Sequence, residues 1–561
     1  MVRIALAQIN PTVGDFSGNL TKISEYIERA AALGAELVMF PELATCGYFP
    51  ADLLEKEVFL QRSEETLAQV AELTRGPSRP AVLIGSPMRC DTPGAKGARN
   101  VAAVLEGGDV RFVQQKRLLP FYDVFDEQRY FEPAERQSLT VIKGHAVAIT
   151  ICEDAWNDKM FWPRQTYRID PVEDLMKQWG ALPQPLSDDR LIVNISASPY
   201  WHGKVEVRQR MIGALAKRHH AAMVMVNQVG ANDSLVFDGS SFAVNAEGEV
   251  VRTAKSFAED LVVFDTVADT QALPLEHGAD IETERTWNAL VLGTRDYVRK
   301  CGFSKAVIGL SGGIDSAIVA AVAVAALGKE NVQGIGMPSE FSSTGSITDA
   351  EKLAKNLDIA FTVLPIKQIF TQFTDVLEPF FAGTNFGLAE ENIQPRVRGA
   401  LLMGVSNKTG ALVLTTGNKS EMACGYCTLY GDMVGALAVI ADVYKTEVYR
   451  IARWLNREHE VIPEDTITKP PSAELRPGQK DTDSLPPYEV LDPILRAYIE
   501  DYAGAEEIAA AQHVDLELVR RVIRLVEISE YKRQQAAPVL KVSRKSFGMG
   551  RRFPIAARRE V

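Results

Sequence analysis

The run VIGLSGGIDSAIVAAVAVAALG, residues 307–328, constrains the fold of this chain more than any other feature. Apolar residues up to Leu310 favour a buried strand, residues 311–316 favour a tight turn, and the alanines and valines that follow favour a helix. Gly312 and Gly313 let backbone amides approach a phosphate, and the amino end of the helix adds its dipole. The run therefore predicts a phosphate site, although a turn that only caps the helix would have the same local pattern.

The sequence around this run alternates between strand and helix periods. After a helix at 284–300, we predict strands at 305–310, 332–337 and 361–364, with helices ending at 327 and 357 and a further helix at 368–381. Such alternation is typical of a doubly wound parallel sheet, which binds ligands at the carboxyl ends of its strands. The polar segment 468–487 has no period, and we expect a long mobile loop there.

The first half of the chain has a different pattern of predicted secondary structure, with many short strands and few helices. The predicted strands are 3–9, 37–40, 81–85, 101–105, 145–152, 191–195 and 223–226, and the predicted helices are 17–33, 51–73 and 206–219. Glycine-containing turns at 107–108 and 247–248 predict two hairpins. A mixed sheet in two layers, covered by two layers of helices, fits these elements. We place the domain bounds at 1–265 and 285–561, with a linker at 266–284.

Composition narrows the class of protein. The chain has 561 residues, of which 61 are Lys or Arg and 73 are Asp or Glu, so its formal net charge is −12. This balance argues against nucleic acid or an anionic membrane as a partner. We find neither a secretory leader nor an apolar run of the ~18 residues that a membrane helix needs. We therefore expect a soluble, cytoplasmic protein, and its six irregularly spaced cysteines do not indicate a disulfide framework.

The motifs of the second half resemble those of a known enzyme family. The turn SGGIDS fits the SGGxDS loop of ATP pyrophosphatases, and it is neither a Walker A loop nor a dinucleotide GxGxxG. Together with TTGNKSEMACGYCTLYGD, ENIQPRVRG, PPSAELRPGQKDTDSLPPY and YKRQQAAPVLKVSRKSFGMGRRFPI, it resembles the NAD synthetase family over residues 285–555. The resemblance implies a doubly wound, adenine nucleotide alpha hydrolase-like domain that uses ATP, Mg²⁺ and deamido-NAD.

The same resemblance implies which residues form the site. ATP would contact Ser311, Gly312, Gly313, Asp315, Ser316 and Thr416. Deamido-NAD would contact Arg396, Asn418, Glu421, Asp432 and Lys445. Asp315 and Glu421 would hold Mg²⁺, because carboxylate oxygens are its preferred ligands. The segment 472–488 would close over the reacting groups.

Three residues of the first half each follow a buried strand, namely Glu42, Lys116 and Cys152. Taken singly, they could be a surface Glu, a Lys whose stem lies along the surface and a buried Cys. Taken jointly, they resemble the Glu-Lys-Cys triad of the nitrilase superfamily, an αββα sandwich. The segments FPELATCGY, DVFDEQRYFEP and NISASPY resemble in particular the glutamine amidase domain that is fused to NAD synthetases.

This second resemblance assigns roles to residues. The catalytic set would be Glu42, Lys116, Cys152 and Glu127, with Cys152 as nucleophile and Glu42 as its base. Glutamine would bind near Tyr122, Glu153, Ser196, Ser198 and Arg208. Ammonia from glutamine would then amidate adenylated deamido-NAD, and the products would be NAD, AMP, pyrophosphate and glutamate.

Several alternatives stay open at this point. A carbon–nitrogen hydrolase with a decayed second half, a transfer-RNA-modifying ATP pyrophosphatase and a nucleotide-binding regulatory module are the rival functions. The pair Cys424 and Cys427 forms a CxxC, which we interpret as buried thiols rather than a zinc or redox site. We interpret His219 and His220 as the polar end of a helix rather than as catalytic residues.

The basic residues near the end of the sequence bear on the expected assembly state. The tail residues Arg544, Lys545, Arg551, Arg552, Arg558 and Arg559 form a solvated tail or, as in the family, reach toward substrate phosphates at a subunit interface. We expect a homodimer or a higher homo-oligomer.

Overall fold

The computed structural model describes residues 2–180, 182, 190–274 and 276–557. They form two compact units, Met1–His277 and Gly278–Val561, and the division falls inside the polar stretch 266–284. Among the described residues, none of the helices is long and apolar enough to span a membrane.

The first unit is built from two six-stranded sheets and a short hairpin. Its strands are β1 (Arg3–Gln8), β2 (Leu37–Met39), β3 (Ala81–Arg89), β4 (Ala98–Glu106), β5 (Asp109–Gln115), β6 (Thr140–Ile142), β7 (His145–Ile151), β8 (Leu191–Ser196), β9 (Ala222–Asn227), β10 (Val229–Asn232), β11 (Leu235–Asp238), β12 (Phe242–Val244), β13 (Val250–Thr253) and β14 (Asp260–Asp265). The strand orders are β14-β1-β2-β3-β4-β5, β13-β12-β9-β8-β7-β6 and β10-β11. Its helices are α1 (Phe16–Ala32), α2 (Glu57–Glu72), α3 (Glu127–Tyr130), α4 (Pro171–Trp179) and α5 (Lys204–His219).

Alternating side chains join these layers, because successive residues of a strand point to opposite faces. Ile4 and Leu6 of β1 pack in one apolar cluster with Ile149 of β7, which fills the space between the sheets. Ala5 and Ala7 pack in a second cluster with residues of α1 and α2. The outer face of β7, β8 and β9 is covered by α4 and α5. The predicted αββα sandwich is therefore confirmed.

The second unit contains one parallel sheet surrounded by helices. Its strands are β15 (Ala306–Gly309), β16 (Val332–Gly336), β17 (Ala360–Val363), β18 (Leu412–Thr415) and β19 (Leu437–Ala438). Its helices are α6 (Ala279–Lys300), α7 (Ile314–Leu327), α8 (Thr344–Asn356), α9 (Lys367–Phe381), α10 (Leu388–Thr409), α11 (Lys419–Cys424), α12 (Lys445–Leu455), α13 (Glu464–Thr468), α14 (Tyr488–Glu500), α15 (Ala505–Gln512), α16 (Leu516–Ile528) and α17 (Glu530–Arg533). The order β17-β16-β15-β18-β19, with every neighbouring pair parallel, confirms the doubly wound sheet. The strand order reverses between β15 and β18, which is where such sheets bind ligands.

The predicted boundaries differ from the observed ones in a few places. The predicted helix 51–73 is confirmed over α2, but its start is wrong, because a 3₁₀ turn at Ala51–Glu55 and an extended backbone at Lys56 precede α2. Both predicted hairpins are confirmed as the pairs β4–β5 and β12–β13. The segment predicted as a long loop contains a 3₁₀ turn at Asp481–Asp483, and Ser346 donates a 2.8 Å hydrogen bond to Glu474 in it.

Candidate active sites

The first unit brings four functional groups together at strand ends. Lys116 directly follows β5, Cys152 directly follows β7, Glu42 lies three residues after β2, and Glu127 begins α3. All four are at most 4% exposed. A buried lysine needs anionic partners, because burial disfavours its charged form. The predicted catalytic residues therefore form one enclosed, charged cluster.

Lys116 is the centre of this cluster. Its Nζ lies 2.7 Å from Oε1 of Glu42 and 2.8 Å from each carboxylate oxygen of Glu127. Burial lowers the pKa of Lys116, but the charges of Glu127 and Glu42 outweigh burial and leave that pKa well above its ordinary value. Lys116 therefore stays an ammonium ion.

The thiol and the second carboxyl group have shifted pKa values. Burial, reinforced by Glu42 and partly offset by Lys116, raises the pKa of Cys152 well above its ordinary value. Burial also raises the pKa of Glu127 to about 7, against the opposing effect of Lys116. Cys152 is a thiol at neutral pH, so attack on a carbonyl carbon requires an adjacent base.

The backbone at Cys152 is strained. Its φ of +43° lies in the left-handed region, which residues other than glycine rarely adopt. The residue begins a single 3₁₀ turn, Cys152–Ala155, and Asn194 donates a 3.3 Å hydrogen bond to its carbonyl oxygen. Strain of this kind is concentrated at functional sites, where surrounding contacts hold it in place.

Tyr122 and Glu153, two of the predicted glutamine-binding residues, contact each other. The Tyr122 hydroxyl donates to the Glu153 carboxylate at 2.8 and 3.0 Å. Glu153 is buried, whereas Tyr122 is 40% exposed. Burial raises the pKa of Glu153, while Tyr122 and Lys116 oppose that shift. A ligand would therefore reach the buried Glu153 carboxylate past the accessible ring of Tyr122.

The other three predicted glutamine ligands are occupied by protein partners. Ser196 donates to Asn194 at 2.6 Å, and the backbone N–H of Ser198 donates to Asn227 at 2.8 Å. Arg208 is fully buried and forms an ion pair with Asp238. The Nη1 atom of Arg208, by contrast, is buried and has no hydrogen-bond partner among the described residues.

The predicted phosphate turn of the second unit follows β15. Gly312 has a φ of +76°, and a Cβ atom there would lie 2.2 Å from the carbonyl oxygen of Ser346. The Ser316 hydroxyl donates to the Gly313 carbonyl at 3.0 Å, and the Gly313 N–H donates to Ser311 at 3.2 Å. Only glycine fits at position 312, and the hydroxyls fix the turn at the start of α7.

Two carboxylates share one lysine beside this turn. Lys445 contacts Asp315 directly and lies 3.5 Å from Glu421, while Asn418 donates to Asp315 at 3.0 Å. Burial and the nearby Asp315 raise the pKa of Glu421 to about 8. Burial lowers the pKa of Lys445, but Asp315 and Glu421 reverse this and raise it. A second positive charge would stabilise both carboxylates, and their oxygens are the ligands that Mg²⁺ prefers.

A cavity of about 310 Å³ lies at this edge of the sheet. The predicted residues that line it are Ser311, Gly313, Asp315, Ser316, Thr416, Glu421, Asp432 and Lys445. Gly312 and Asn418 are not lining residues, but Gly312 is part of the turn and Asn418 hydrogen-bonds to Asp315. Burial raises the pKa of Asp432 to about 6.

Arg396 lies outside the lining of this cavity. It is exposed, and its Nε donates to the carbonyl oxygen of Leu429 at 3.2 Å. Arg398 lines the cavity instead, and burial lowers its pKa to about 10. Residues two apart on a helix point about 200° apart, so only one of these arginines can face the cavity.

The basic tail is partly fixed. Lys419 of α11 is fully buried, and its Nζ lies 2.9 Å from Glu500, 2.6 Å from the Ser543 hydroxyl and 2.9 Å from the carbonyl oxygen of Lys545. Arg551 pairs with Glu530 at 2.6 Å. Arg558 and Arg559 lie outside the described residues, and Arg544 is exposed beside Asp501. Residues 541–551 therefore pack on the unit rather than extending into solvent.

The cysteine pair and the histidine pair lie in ordinary structural positions. Cys424 packs in the apolar cluster of α14 and α16, and Cys427 packs against it. Burial raises the pKa of both thiols to about 12. His219 ends α5 and His220 caps it, as the sequence predicts.

Sequence reasoning missed three residues that hold the first site together. Asn100 donates to Glu42 at 2.7 Å, Tyr48 donates to Glu127 at 2.8 Å, and Asp154 accepts hydrogen bonds beside Cys152. The available signal was weak. Asn100 is a buried polar side chain directly before the apolar run of the strand ARNVAAVLE.

Comparison with known proteins assigns a family to each of the two units. Residues 3–274 match the carbon-nitrogen hydrolase family, and residues 286–536 match the NAD synthase family. The chain is thus an enzyme that joins a carbon–nitrogen hydrolase domain to an NAD synthase domain. A glutamine-dependent NAD(+) synthetase from Synechocystis is 49% identical over 99% of both chains, and one from Thermotoga maritima is 44% identical over 99% of both.

A solved structure extends this similarity. The glutamine-dependent NAD(+) synthetase from Acinetobacter baumannii, in complex with ADP, is 39% identical, with a TM-score of 0.75 over 99% of this chain and 98% of its own. The chain belongs to the family of glutamine-dependent NAD(+) synthetases.

Proposed function

We propose that the chain converts deamido-NAD to NAD in two coupled reactions carried out by the residues described above. Hydrolysis of glutamine at Cys152 releases ammonia, and ATP adenylates the nicotinate carboxylate with loss of pyrophosphate. Ammonia then displaces AMP to give NAD. The observation that carries this proposal is the buried Lys116 ammonium between Glu42 and Glu127, next to Cys152, in a chain that also has the phosphate turn.

The proposed amidase roles follow from the charges. Glu42 takes the proton of the Cys152 thiol as sulfur attacks the glutamine side-chain carbonyl, and it returns that proton to the departing ammonia. Lys116 stabilises the negative charge that develops on the carbonyl oxygen. Glu127 holds Lys116 in place, and water then releases glutamate from the thioester.

The proposed glutamine contacts are Tyr122, Glu153, Ser196, Ser198 and Arg208. Of these, Glu153 is the best placed, because its carboxylate can accept hydrogen bonds from an ammonium group. Arg208 would act through its partner Asp238.

The proposed synthetase roles use the turn and its neighbours. Backbone amides of Gly312 and Gly313, with Ser311, Ser316 and Thr416, bind the phosphates of ATP. Lys445 binds phosphate as a point charge. The relative from Acinetobacter baumannii was solved with ADP, which supports nucleotide binding.

Asp315 and Glu421 would hold Mg²⁺, which supplies positive charge to the leaving pyrophosphate. Asn418 and Asp432, with Arg396 reaching from outside the cavity, would contact deamido-NAD.

We further propose that the domains are 1–265 and 285–561 with a linker at 266–284, and that the protein is a cytoplasmic homodimer or a higher homo-oligomer. Helix α9 supports assembly, because Phe373, Val376 and Phe380 on one of its faces are 49%, 75% and 82% exposed. Exposed apolar patches of this kind mark protein–protein contacts.

The decisive experiment is to incubate the purified chain with ATP, Mg²⁺, deamido-NAD and glutamine, and to identify the products. We expect NAD, AMP, pyrophosphate and glutamate in equal amounts. Glutamate without AMP would favour a hydrolase with an inactive second half. Pyrophosphate release that requires transfer RNA would favour the transfer-RNA-modifying alternative.

A further inference from the structure

Asp154 lies in the 3₁₀ turn that begins at the nucleophilic thiol, and both of its carboxylate oxygens are fully used. Oδ1 accepts hydrogen bonds from the backbone N–H groups of Arg117 at 3.0 Å and Leu118 at 2.8 Å. Oδ2 accepts from the N–H of Ile151 at 3.2 Å and from Nε2 of Gln137 at 2.8 Å. Asp154 is 1% exposed, so no water replaces these donors.

The three backbone donors lie at strand ends of two different sheets: Arg117 and Leu118 follow β5, and Ile151 ends β7, whereas Gln137 lies in the segment before β6. Lys116 directly follows β5, at the edge of one sheet, and Cys152 directly follows β7 of the other. Backbone pairing therefore does not fix the separation of the two groups. Asp154 bonds to the two N–H groups that follow Lys116 and to the N–H that precedes Cys152, so a single carboxylate spans the gap between the strand ends.

The same carboxylate supports the strained backbone. Cys152 has a φ of +43°, a conformation that persists only when surrounding contacts over-determine it. The bond from the Ile151 N–H to Asp154 closes the turn around this residue. Loss of the bond would let Cys152 relax toward an ordinary φ and would turn its thiol away from Lys116.

We propose that Asp154 is a positioning residue for the amidase reaction: its four-donor carboxylate holds the Cys152 thiol and the Lys116 ammonium in register for attack on glutamine. The inference rests on the proposed function of this site. The proposal also explains why residue 154 is an aspartate. All four neighbours are donors, and an asparagine in either orientation would aim its own N–H₂ at two of them.

The test compares Asp154→Asn with the wild type in the full chain. With glutamine as donor, we expect kcat to fall by about a hundredfold, because a misplacement of about 1 Å costs that much, with a much smaller change in KM. With ammonia as donor, NAD formation should be unchanged. In Asp154→Asn, the rate at which iodoacetamide alkylates Cys152 should no longer follow the wild-type pH profile.

Asp170→Asn is the matched control in the same unit. Asp170 is also buried, and it caps α4 by accepting the Glu173 N–H at 3.0 Å. Asparagine caps a helix as well as aspartate does, so this variant should keep both activities.

Normal glutamine-dependent kcat in folded Asp154→Asn would overturn the proposal, and so would an equal loss with both donors. If that variant does not fold, Gln137→Met removes one of the four donors with little change in volume. A glutamine-dependent kcat several-fold lower is then expected, and an unchanged value would overturn the inference. Failure of the proposed function would be distinct, because the wild type itself would then make no NAD from glutamine.

Discussion

The side-chain nitrogen of Lys116 lies 2.8 Å from both carboxylate oxygens of Glu127, so both oxygens of one carboxylate bind this ammonium. The same nitrogen also contacts Glu42 at 2.7 Å. One ammonium thus faces two carboxylates in a buried site, and the proton count of the cluster depends on pH. Glu127 can fix Lys116 while Glu42 acts on the thiol.

Glutamine-dependent activity should rise with pH through about 7, where Glu127 loses its proton. The sign follows from the raised pKa: below it, Glu127 is neutral and holds Lys116 less firmly. Glu127→Gln should abolish this acid limb and lower kcat by about a hundredfold, because a misplacement of the Lys116 ammonium by about 1 Å costs that much. The measurement is the pH profile of kcat/KM for glutamine. The exposed Glu135→Gln should keep the wild-type profile, and a limb that persists in Glu127→Gln would assign it to another group.

Cys152→Ala should abolish NAD formation from glutamine and leave formation from ammonium salts at high pH largely intact. The thiolate is needed only to attack the glutamine amide, whereas the adenylate needs only a neutral amine. Removal of one buried sulfur should cost about 1 kcal/mol of unfolding free energy. Steady-state assays with each nitrogen donor, together with thermal unfolding, check this. An equal loss with both donors would mean that Cys152 also supports the synthetase reaction.

Asp315→Asn should slow pyrophosphate release by about a hundredfold, or ~2.7 kcal/mol of activation free energy, with either nitrogen donor. Asp315 lines the cavity and its side chain is 17% exposed, so the variant should still fold. Pyrophosphate release with glutamine and with ammonia is the measurement. Asp358→Asn, at an exposed pair with Lys329, is the control and should behave like the wild type. Near-normal release by Asp315→Asn would remove this residue from the site.

The double variant Cys424→Ser, Cys427→Ser should keep activity, and the purified wild type should carry no stoichiometric zinc. The pair supplies only two of the four ligands that a structural zinc needs, and among the described residues no group of three or more His, Cys, Asp or Glu side chains could hold a metal ion. Elemental analysis of the wild type checks this directly. About one zinc per chain would restore the alternative of a transfer-RNA-modifying ATP pyrophosphatase.

Val376→Asp combined with Phe380→Asp should shift the protein toward the monomer, because two charges would be buried in a contact that α9 makes with a second copy. Sedimentation at several concentrations measures the state. Glu378→Lys, an exposed change on the opposite side of the helix, should leave assembly unchanged. An oligomer that survives both aspartates would exclude α9 from the interface.

Local patterns predicted most of the fold and part of the sites. Glu42 and Cys152 were visible because each follows a run of buried apolar residues, and Gly312 and Gly313 follow such a run as well. Lys116 was expected to follow a buried strand too, but β5 before it is mostly exposed or half-buried, so that part of the prediction was wrong. Both signals lie within a few residues of the group concerned.

What the sequence did not predict depends on distance or orientation. The start of the predicted helix 51–73 was wrong because Lys56 is extended, and a continuous apolar period does not reveal such a break. Arg396 and Arg398 differ only in the face of α10 that each occupies. Asp154 and Asn100 act on residues 36 and 58 positions away, so their roles become visible only once the strands are assembled.

The contacts of Lys419 also set an order of events during translation. Asn418, its neighbour, holds Asp315, and the partners of Lys419 itself include Ser543 and Lys545 near the other end of the chain. The ribosome must therefore deliver more than a hundred further residues before α11 can acquire the last of its buried partners. The Glu42, Lys116 and Cys152 cluster draws only on the first unit. Because domains fold amino-terminal first as they emerge, the nascent chain can complete its amidase centre well before its nucleotide site exists.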